Sequence, residues 1–256
     1  MATSDSPPCA ARQGMVGQRW GDTGVTGGVL LLANVLNSMA TNRADQDREQ
    51  DPESERAPVD AAPPDSAISV TGTDHITLIG SNEADTIAFY RDVLGMPLVL
   101  RQPNLDDPDS THLFFDTGDG RTLTFFIGDY PSQNGPQRPG IGGVHHLAFS
   151  LDPEEFEETK QSLSEAGHRF SEFDRGAFHS LYTRDHNGLT IELATDKYVI
   201  PDDRRGEVLA AAHHNRVEAG RQYVDDEDLE AALEDLGMPV ERYDLPDAAS
   251  GAGVGN

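Results

Sequence analysis

One order of elements occurs twice in this 256-residue chain, and it constrains the fold more than any other feature. An alternating run, TGTDHITLIG, is followed by the helix-like SNEADTIAFYRDVLG, whose apolar positions are Ile87, Phe89, Tyr90, Val93 and Leu94. Three strand-like runs come next, near Pro97 to Arg101, His112 to Asp116 and Thr122 to Ile127, with a turn at Gly118 to Gly120. After PSQNGPQRPGIGG the order returns as VHHLAFSL, DPEEFEETKQSLSEAG, HRFSEF, HSLYTRD and LTIELAT. His75 and His146 lie 71 positions apart, Gly95 and Gly167 lie 72 apart, and Gly120 and Gly188 lie 68 apart, so the chain contains an internal repeat.

A β-α-β-β-β unit leaves an apolar sheet face that it cannot close alone, so two such units have to share a core. The sequence therefore predicts an α+β fold in which two βαβββ repeats, about 70–130 and 143–198, form one open barrel-like sheet within a domain at 70–200. Asp152 and Pro153 stand where a cap and a first turn start the second helix, and Gly95 stops the first. Beyond it, PDDRRGEVLAAAHHNRVEAGRQYV and DEDLEAALEDLG read as a C-terminal helical extension at 201–246, followed by a flexible tail at 247–256. His213 and His214 are adjacent on a helix and point about 100° apart, a poor ligand pair, and are expected at the surface.

Residues 1–69 are expected to be a disordered or non-core extension, because residues 40 to 68 are rich in charge and proline and nearly free of large apolar residues. An apolar run, VTGGVLLLANV, is too short for a membrane span and lacks a clean cleavage site after it, so a cytoplasmic protein without membrane partner is expected. Translation from Met39 would leave this run out altogether. The single cysteine, Cys9, excludes an intrachain disulfide and a cysteine-built zinc site. Asp and Glu total 45 against 19 Lys and Arg, a formal charge of −26, which repels phosphates and argues against a nucleic-acid partner. Such an acidic, lysine-poor composition resembles that of halophilic proteins.

The chemistry concentrates between Gly143 and Thr195. His75 and His146 occupy equivalent positions in the two repeats, and Glu192 lies between Ile191 and Leu193 on the last strand of the second. An ionised carboxylate in an apolar strand needs a cation or a hydrogen-bond donor. Two histidines and one carboxylate form a facial triad that leaves positions open on a divalent iron, so His75, His146 and Glu192 are the candidate metal ligands. The competing structural reading pairs Glu192 with Arg175 or Arg184 across the sheet. Side chains two apart share a strand face, which places Thr77 with His75 and groups Ser180, Tyr182 and Arg184. Tyr182 is then either a core aromatic or a residue whose hydroxyl exchanges a proton with a bound phenolate. The first repeat offers no carboxylate between Thr124 and Phe126, where a counterpart of Glu192 would fall, so one metal site is expected.

Paired units with these positions resemble the vicinal oxygen chelate superfamily of glyoxalases, fosfomycin-resistance proteins and extradiol dioxygenases. Within it, DHITL, AFYRDVLGMPLVLRQPNLDDPDSTHLFF, LTFF, VHHLAF and FHSLYTRDHNGLTIELATD are similar to ring-cleaving dioxygenases that act on hydroquinones, over about Thr73 to Asp196. The resemblance implies that His75, His146 and Glu192 hold Fe(II), with Mn(II) an acceptable substitute. It further implies that Thr77, His145, Arg175 and Tyr182 bind substrate and shuttle protons around a dihydroxylated aromatic ring and O2. Asp74 departs from the hydroquinone-type pattern, which has histidine there, and the chain has two repeats where longer members have four. A homo-oligomer is expected. Two other functions fit the same fold, a glyoxalase-type metal-dependent lyase or isomerase and a metal-free module that binds an aromatic compound.

Overall fold

The computed structural model describes residues 58–131 and 139–246. The expectations for residues 1–57 and for the tail at 247–256 lie outside the described residues. The first unit contains β1 (His75–Gly80), α1 (Glu83–Ile87, continuing as a π-helical stretch Ala88–Val93), β2 (Leu98–Pro103), β3 (Thr111–Asp116) and β4 (Thr122–Ile127). The second contains β5 (His146–Ser150), α2 (Phe156–Glu165), β6 (Ser171–Asp174), β7 (Phe178–Arg184) and β8 (Thr190–Asp196).

Local chemistry explains the helix boundaries. Asn82 Oδ1 accepts from the Asp85 N–H at 2.8 Å and satisfies one of the free donors at the start of α1. Asp152 does the same for Glu154 at 2.9 Å, with Pro153 in the first turn. The α1 ladder then widens, the Leu94 N–H reaching the Phe89 carbonyl at 3.0 Å, before Gly95 turns the chain away at φ +73°. Its counterpart Gly167 takes φ +79°, so the repeat extends to the left-handed helix stops, where a Cβ is disfavoured. Only the last three residues of the run HRFSEF enter β6, which Asp174 completes, and the His168 N–H is spent on the Leu163 carbonyl at the end of α2.

The fold is α+β, with strand orders β1-β4-β3-β2 and β5-β8-β7-β6. The strand hydrogen bonds stay within each unit, so the molecule has two four-stranded mixed sheets rather than one continuous sheet, and no closed barrel among the described residues. In each, the first strand pairs parallel with the fourth, His75 opposite Thr122 and His146 opposite Thr190. The two units meet through side chains. Leu113, Phe115, Leu123 and Phe125 of the first sheet and Leu181, Ile191 and Leu193 of the second share one core with Phe89, Tyr90, Phe156 and Leu163 of the helices. The strand face carrying these residues is opposite the one carrying His75, His146 and Glu192.

Tyr90, fully buried in α1, donates to Asp185 Oδ2 at 3.0 Å, and Asp185 Oδ1 also receives the N–H groups of Asn187 and Leu189 at 2.9 and 2.8 Å. The contact fastens the first helix to the turn between β7 and β8. Burial, and then the Asp185 charge, push the Tyr90 phenol well above its ordinary range, so the hydroxyl keeps its proton and remains a donor. Tyr90→Phe takes one of the hydrogen bonds from a buried carboxylate and is expected to destabilise the fold by about 1–3 kcal/mol. Denaturant melts test this, and an unchanged midpoint would show that the bond contributes nothing.

The chain continues into α3 (Arg205–Glu218) and α4 (Asp226–Asp235), which have a core of their own built from Tyr198, Val208, Ala212, Leu229, Ala232 and Leu233. His213 and His214 lie side by side on α3, ring centroids 5.5 Å apart, and His214 Nε2 is 3.0 Å from the Val59 carbonyl oxygen. No helix among the described residues is long and apolar enough to cross a membrane.

Candidate functional site

The second unit gathers five of the seven candidate residues. β8 is flanked by β5 and β7, and register places Ala148 and Tyr182 on either side of Glu192. Ala148 leaves space above the sheet, while Tyr182 extends across it. The Tyr182 hydroxyl donates to Glu192 Oε1 at 2.7 Å, and His146 Nε2 lies 2.9 Å from Glu192 Oε2. The Arg175 Nε–H donates to the Tyr182 hydroxyl oxygen at 3.2 Å, with the guanidinium over the rings of Phe173 and Tyr182 at 4.7 and 4.9 Å. His145 Nδ1 is 2.8 Å from His146 Nδ1, close enough for one ring to donate to the other. The result is a continuous chain from Arg175 through Tyr182, Glu192 and His146 to His145.

Glu192 is 7% exposed, and its carboxylate is satisfied in this buried position by the phenol and the imidazole. His146 and Tyr182 are half-buried, and His145 and Arg175 reach solvent. The Tyr182 phenol is pushed above its ordinary range, first by burial and then by the hydrogen bond to Glu192, with Arg175 pulling in the opposite direction. A phenol held in its protonated form between a carboxylate and a guanidinium can give a proton to a ligand oxygen seated beside it.

His75 and Thr77 lie on the first sheet. His75 is exposed on β1, its Nδ1 2.6 Å from Asp74 Oδ1, and the Thr77 hydroxyl accepts from buried Thr124 at 2.8 Å. Among the described residues, no hydrogen bond, ion pair or ring contact joins His75 to His146 or Glu192, and no group of three or more His, Cys, Asp or Glu is gathered as a metal site. Asp74, which departs from the pattern of the resemblance, is thus the residue that holds the His75 ring.

Register makes the duplication explicit. Thr124 pairs with Thr77 and Phe114 just as Glu192 pairs with Ala148 and Tyr182, so Phe114 and Thr124 are the first unit's counterparts of Tyr182 and Glu192. Only the second unit has both a carboxylate and a phenol at these positions. The spacing of the His146–Glu192 pair is compatible with two of the ligands of a divalent cation. Two donors bound at about 2.1 Å and at right angles around one ion lie about 3 Å apart, the spacing of His146 Nε2 and Glu192 Oε2.

Sequence patterns give no hint of the surroundings of Arg175. Lys197, one of only two lysines in the chain, is 4% exposed and pairs with Asp174 and Asp226, residues far apart in sequence.

Residues 72–193 match the family model described as the Glyoxalase/Bleomycin resistance protein/Dioxygenase superfamily, and this segment is a domain of that superfamily, the vicinal oxygen chelate fold. Two proteins of Bacillus subtilis (strain 168), provisionally named ring-cleaving dioxygenases MhqE and MhqA, are similar to it. MhqE is 32% identical over 100 residues, 38% of this chain and 32% of that protein; MhqA is 30% identical over 113 residues, 43% of this chain and 35% of that protein. The matched region therefore spans about a third of the length of these relatives. Among solved structures, the fosfomycin resistance protein FosX of Listeria monocytogenes aligns with 53% of this chain and 99% of its own, at 22% identity and a TM-score of 0.41.

Proposed function

We propose that the chain is a ring-cleaving dioxygenase that inserts O2 into a dihydroxylated aromatic ring, with His75, His146 and Glu192 holding Fe(II), or Mn(II) in its place. The observation that carries this reading is the unbroken set of contacts from Arg175 through Tyr182 and Glu192 to His146 on one strand face. The names of the two Bacillus relatives support it. The metal would supply a Lewis acid that acidifies a ring hydroxyl and a redox centre for oxygen.

The protein's own groups have separable tasks. Glu192 provides the negative charge that balances a cation in a buried position. Arg175, exposed beside the phenol, holds an anionic ring oxygen. Tyr182 keeps its proton until a neighbouring oxygen needs it, and His145, linked to His146, is the second proton-handling group. Thr77, whose hydroxyl oxygen accepts from buried Thr124, presents its hydroxyl on the first sheet toward the substrate. His75 has to exchange its contact with Asp74 for the metal, and a homo-oligomer is the assembly that would supply units present in the longer relatives. Thr124, in place of a second carboxylate, disfavours the glyoxalase-type lyase or isomerase, and the retained His146–Glu192 pair disfavours a metal-free aromatic-binding module.

Anaerobic loading with Fe(II), followed by an oxygen-electrode screen of hydroquinones and catechols, tests the reading. Uptake with at least one diol is expected; stoichiometric iron with no uptake from any of them would overturn it. The composition carries a separate proposal, that the chain is built for molar salt in a cytoplasm of that kind. Self-repulsion of the −26 charge is screened less as salt falls, so moving from molar to millimolar salt is expected to lower the melting temperature. A flat profile would remove the halophilic reading.

A further inference from the structure

The turn between β6 and β7 carries Arg175, and the C-terminal helices fix it from three sides. On the β6 side, Asp174 Oδ2 receives the Lys197 ammonium at 3.0 Å, and Lys197 is also paired with Asp226 at the first turn of α4. Asp226 is secured in turn by Arg242 at 2.8 Å. Asp174 Oδ1 accepts the Gly176 N–H at 2.8 Å, so the same carboxylate joins the lysine to the turn's backbone. On the β7 side, Arg205 at the start of α3 lies over the Phe178 ring at 4.6 Å and bonds both oxygens of Asp196, the residue opposite Phe178. At the tip, Gly176 has φ +79°, and a Cβ there would overlap the Val224 carbonyl oxygen in the link between α3 and α4. Only glycine meets both conditions.

We propose that the C-terminal helical pair is a brace that sets the Arg175 guanidinium over Tyr182, with Lys197 and Gly176 as positioning residues for the site. The guanidinium reaches Tyr182 and Phe173 only from where the turn holds its backbone. Packing the turn against α3 and α4 fixes that backbone before substrate arrives, which lowers the entropic cost of binding an anionic ring oxygen. Lys197 acts as the hub because its buried ammonium needs both carboxylates, one from the sheet and one from the helix. The inference rests on the dioxygenase reading for what Arg175 binds, but not for the brace itself.

Two variants interrupt the brace from opposite ends. Lys197→Met removes the hub, and Asp226→Asn weakens it from the helix while leaving the sheet untouched. The full chain is treated briefly with trypsin, and the fragment ending at Arg175 is followed by mass spectrometry, because the enzyme cuts the Arg175–Gly176 bond only when the turn opens. In both variants the initial rate of this cleavage is expected to rise at least about ten-fold while circular dichroism stays parental. In iron-loaded anaerobic protein, the Kd for 4-nitrocatechol is expected to rise several-fold, and in oxygen uptake KM should rise more than kcat falls; Lys197→Arg is expected to restore part of each. Asp226→Asn decides the matter if Lys197→Met does not fold. Parental cleavage at Arg175 in a folded variant would overturn the brace, and faster cleavage with unchanged Kd would overturn its positioning role. A parent protein that cleaves as expected but neither binds the catechol nor consumes oxygen would overturn the dioxygenase reading and leave the brace standing.

Discussion

Glu192→Gln is expected to remove metal and turnover together while leaving the fold in place. The amide has nearly the shape of the carboxylate and can still accept from the Tyr182 hydroxyl, so the central strand β8 should keep its packing. The charge, however, is lost. A divalent ion in a site that is 7% exposed depends on that charge, and even residues outside the ligand set typically change metal affinity by about 10–100-fold. The expected loss of Fe(II) affinity is at least about 100-fold, with turnover reduced in proportion to bound iron. Iron analysis and oxygen uptake on the same sample provide the check, with melting temperature as the control for folding. His146→Ala should move both in the same direction. Parental iron and turnover in both variants would show that His146 and Glu192 are a structural pair and that the metal assignment is wrong.

How far each feature could be read from sequence depends on how local its cause is. The βαβββ order was legible because alternation, caps and glycine stops act over a few residues, as Asn82, Asp152, Gly95 and Gly167 show. Within the second unit, a period of two grouped Tyr182 with Ser180 and Arg184 but left open whether that face is the one carrying Glu192, because parity acts along one strand and the register between strands decides the rest. The division into two sheets was not legible, since no strand pattern states whether neighbouring edges will pair.

The relation between His75 and the His146–Glu192 pair is of the same non-local kind. Equivalent places in a repeat describe each unit separately, whereas a shared site depends on how the two sheets face one another. That arrangement rests on contacts such as Tyr90 with Asp185 and Thr86 with His186, separated by 95 and 100 positions and without periodicity. The brace behind Arg175 was hidden similarly. Asp174, Lys197 and Asp226 are ordinary charged residues in an acidic chain until folding buries the lysine among them. In the first unit, by contrast, the sequence shows threonine and phenylalanine where the second has glutamate and tyrosine, and the structure gives that difference its register.

Tyr182→Phe is the second substitution with a large expected effect, and it separates two uses of one side chain. The ring is half-buried and packs beside Phe173, with centroids 6.0 Å apart, and the guanidinium of Arg175 lies over it; phenylalanine preserves all of that volume. What it removes is the hydroxyl that donates to Glu192 and accepts from Arg175. If the hydroxyl only ties down packing, folding stability falls slightly and turnover stays within a few-fold of the parent. A group that transfers a proton in the rate-determining region typically contributes about 10²–10⁴-fold. The expected loss of turnover is at least about ten-fold at full iron occupancy, the floor lying below that range because His145 offers a second proton route. Steady-state oxygen uptake at saturating diol, with iron measured on the same sample, decides between the two. Near-parental turnover would assign Tyr182 to packing and leave His145 as the proton-handling group.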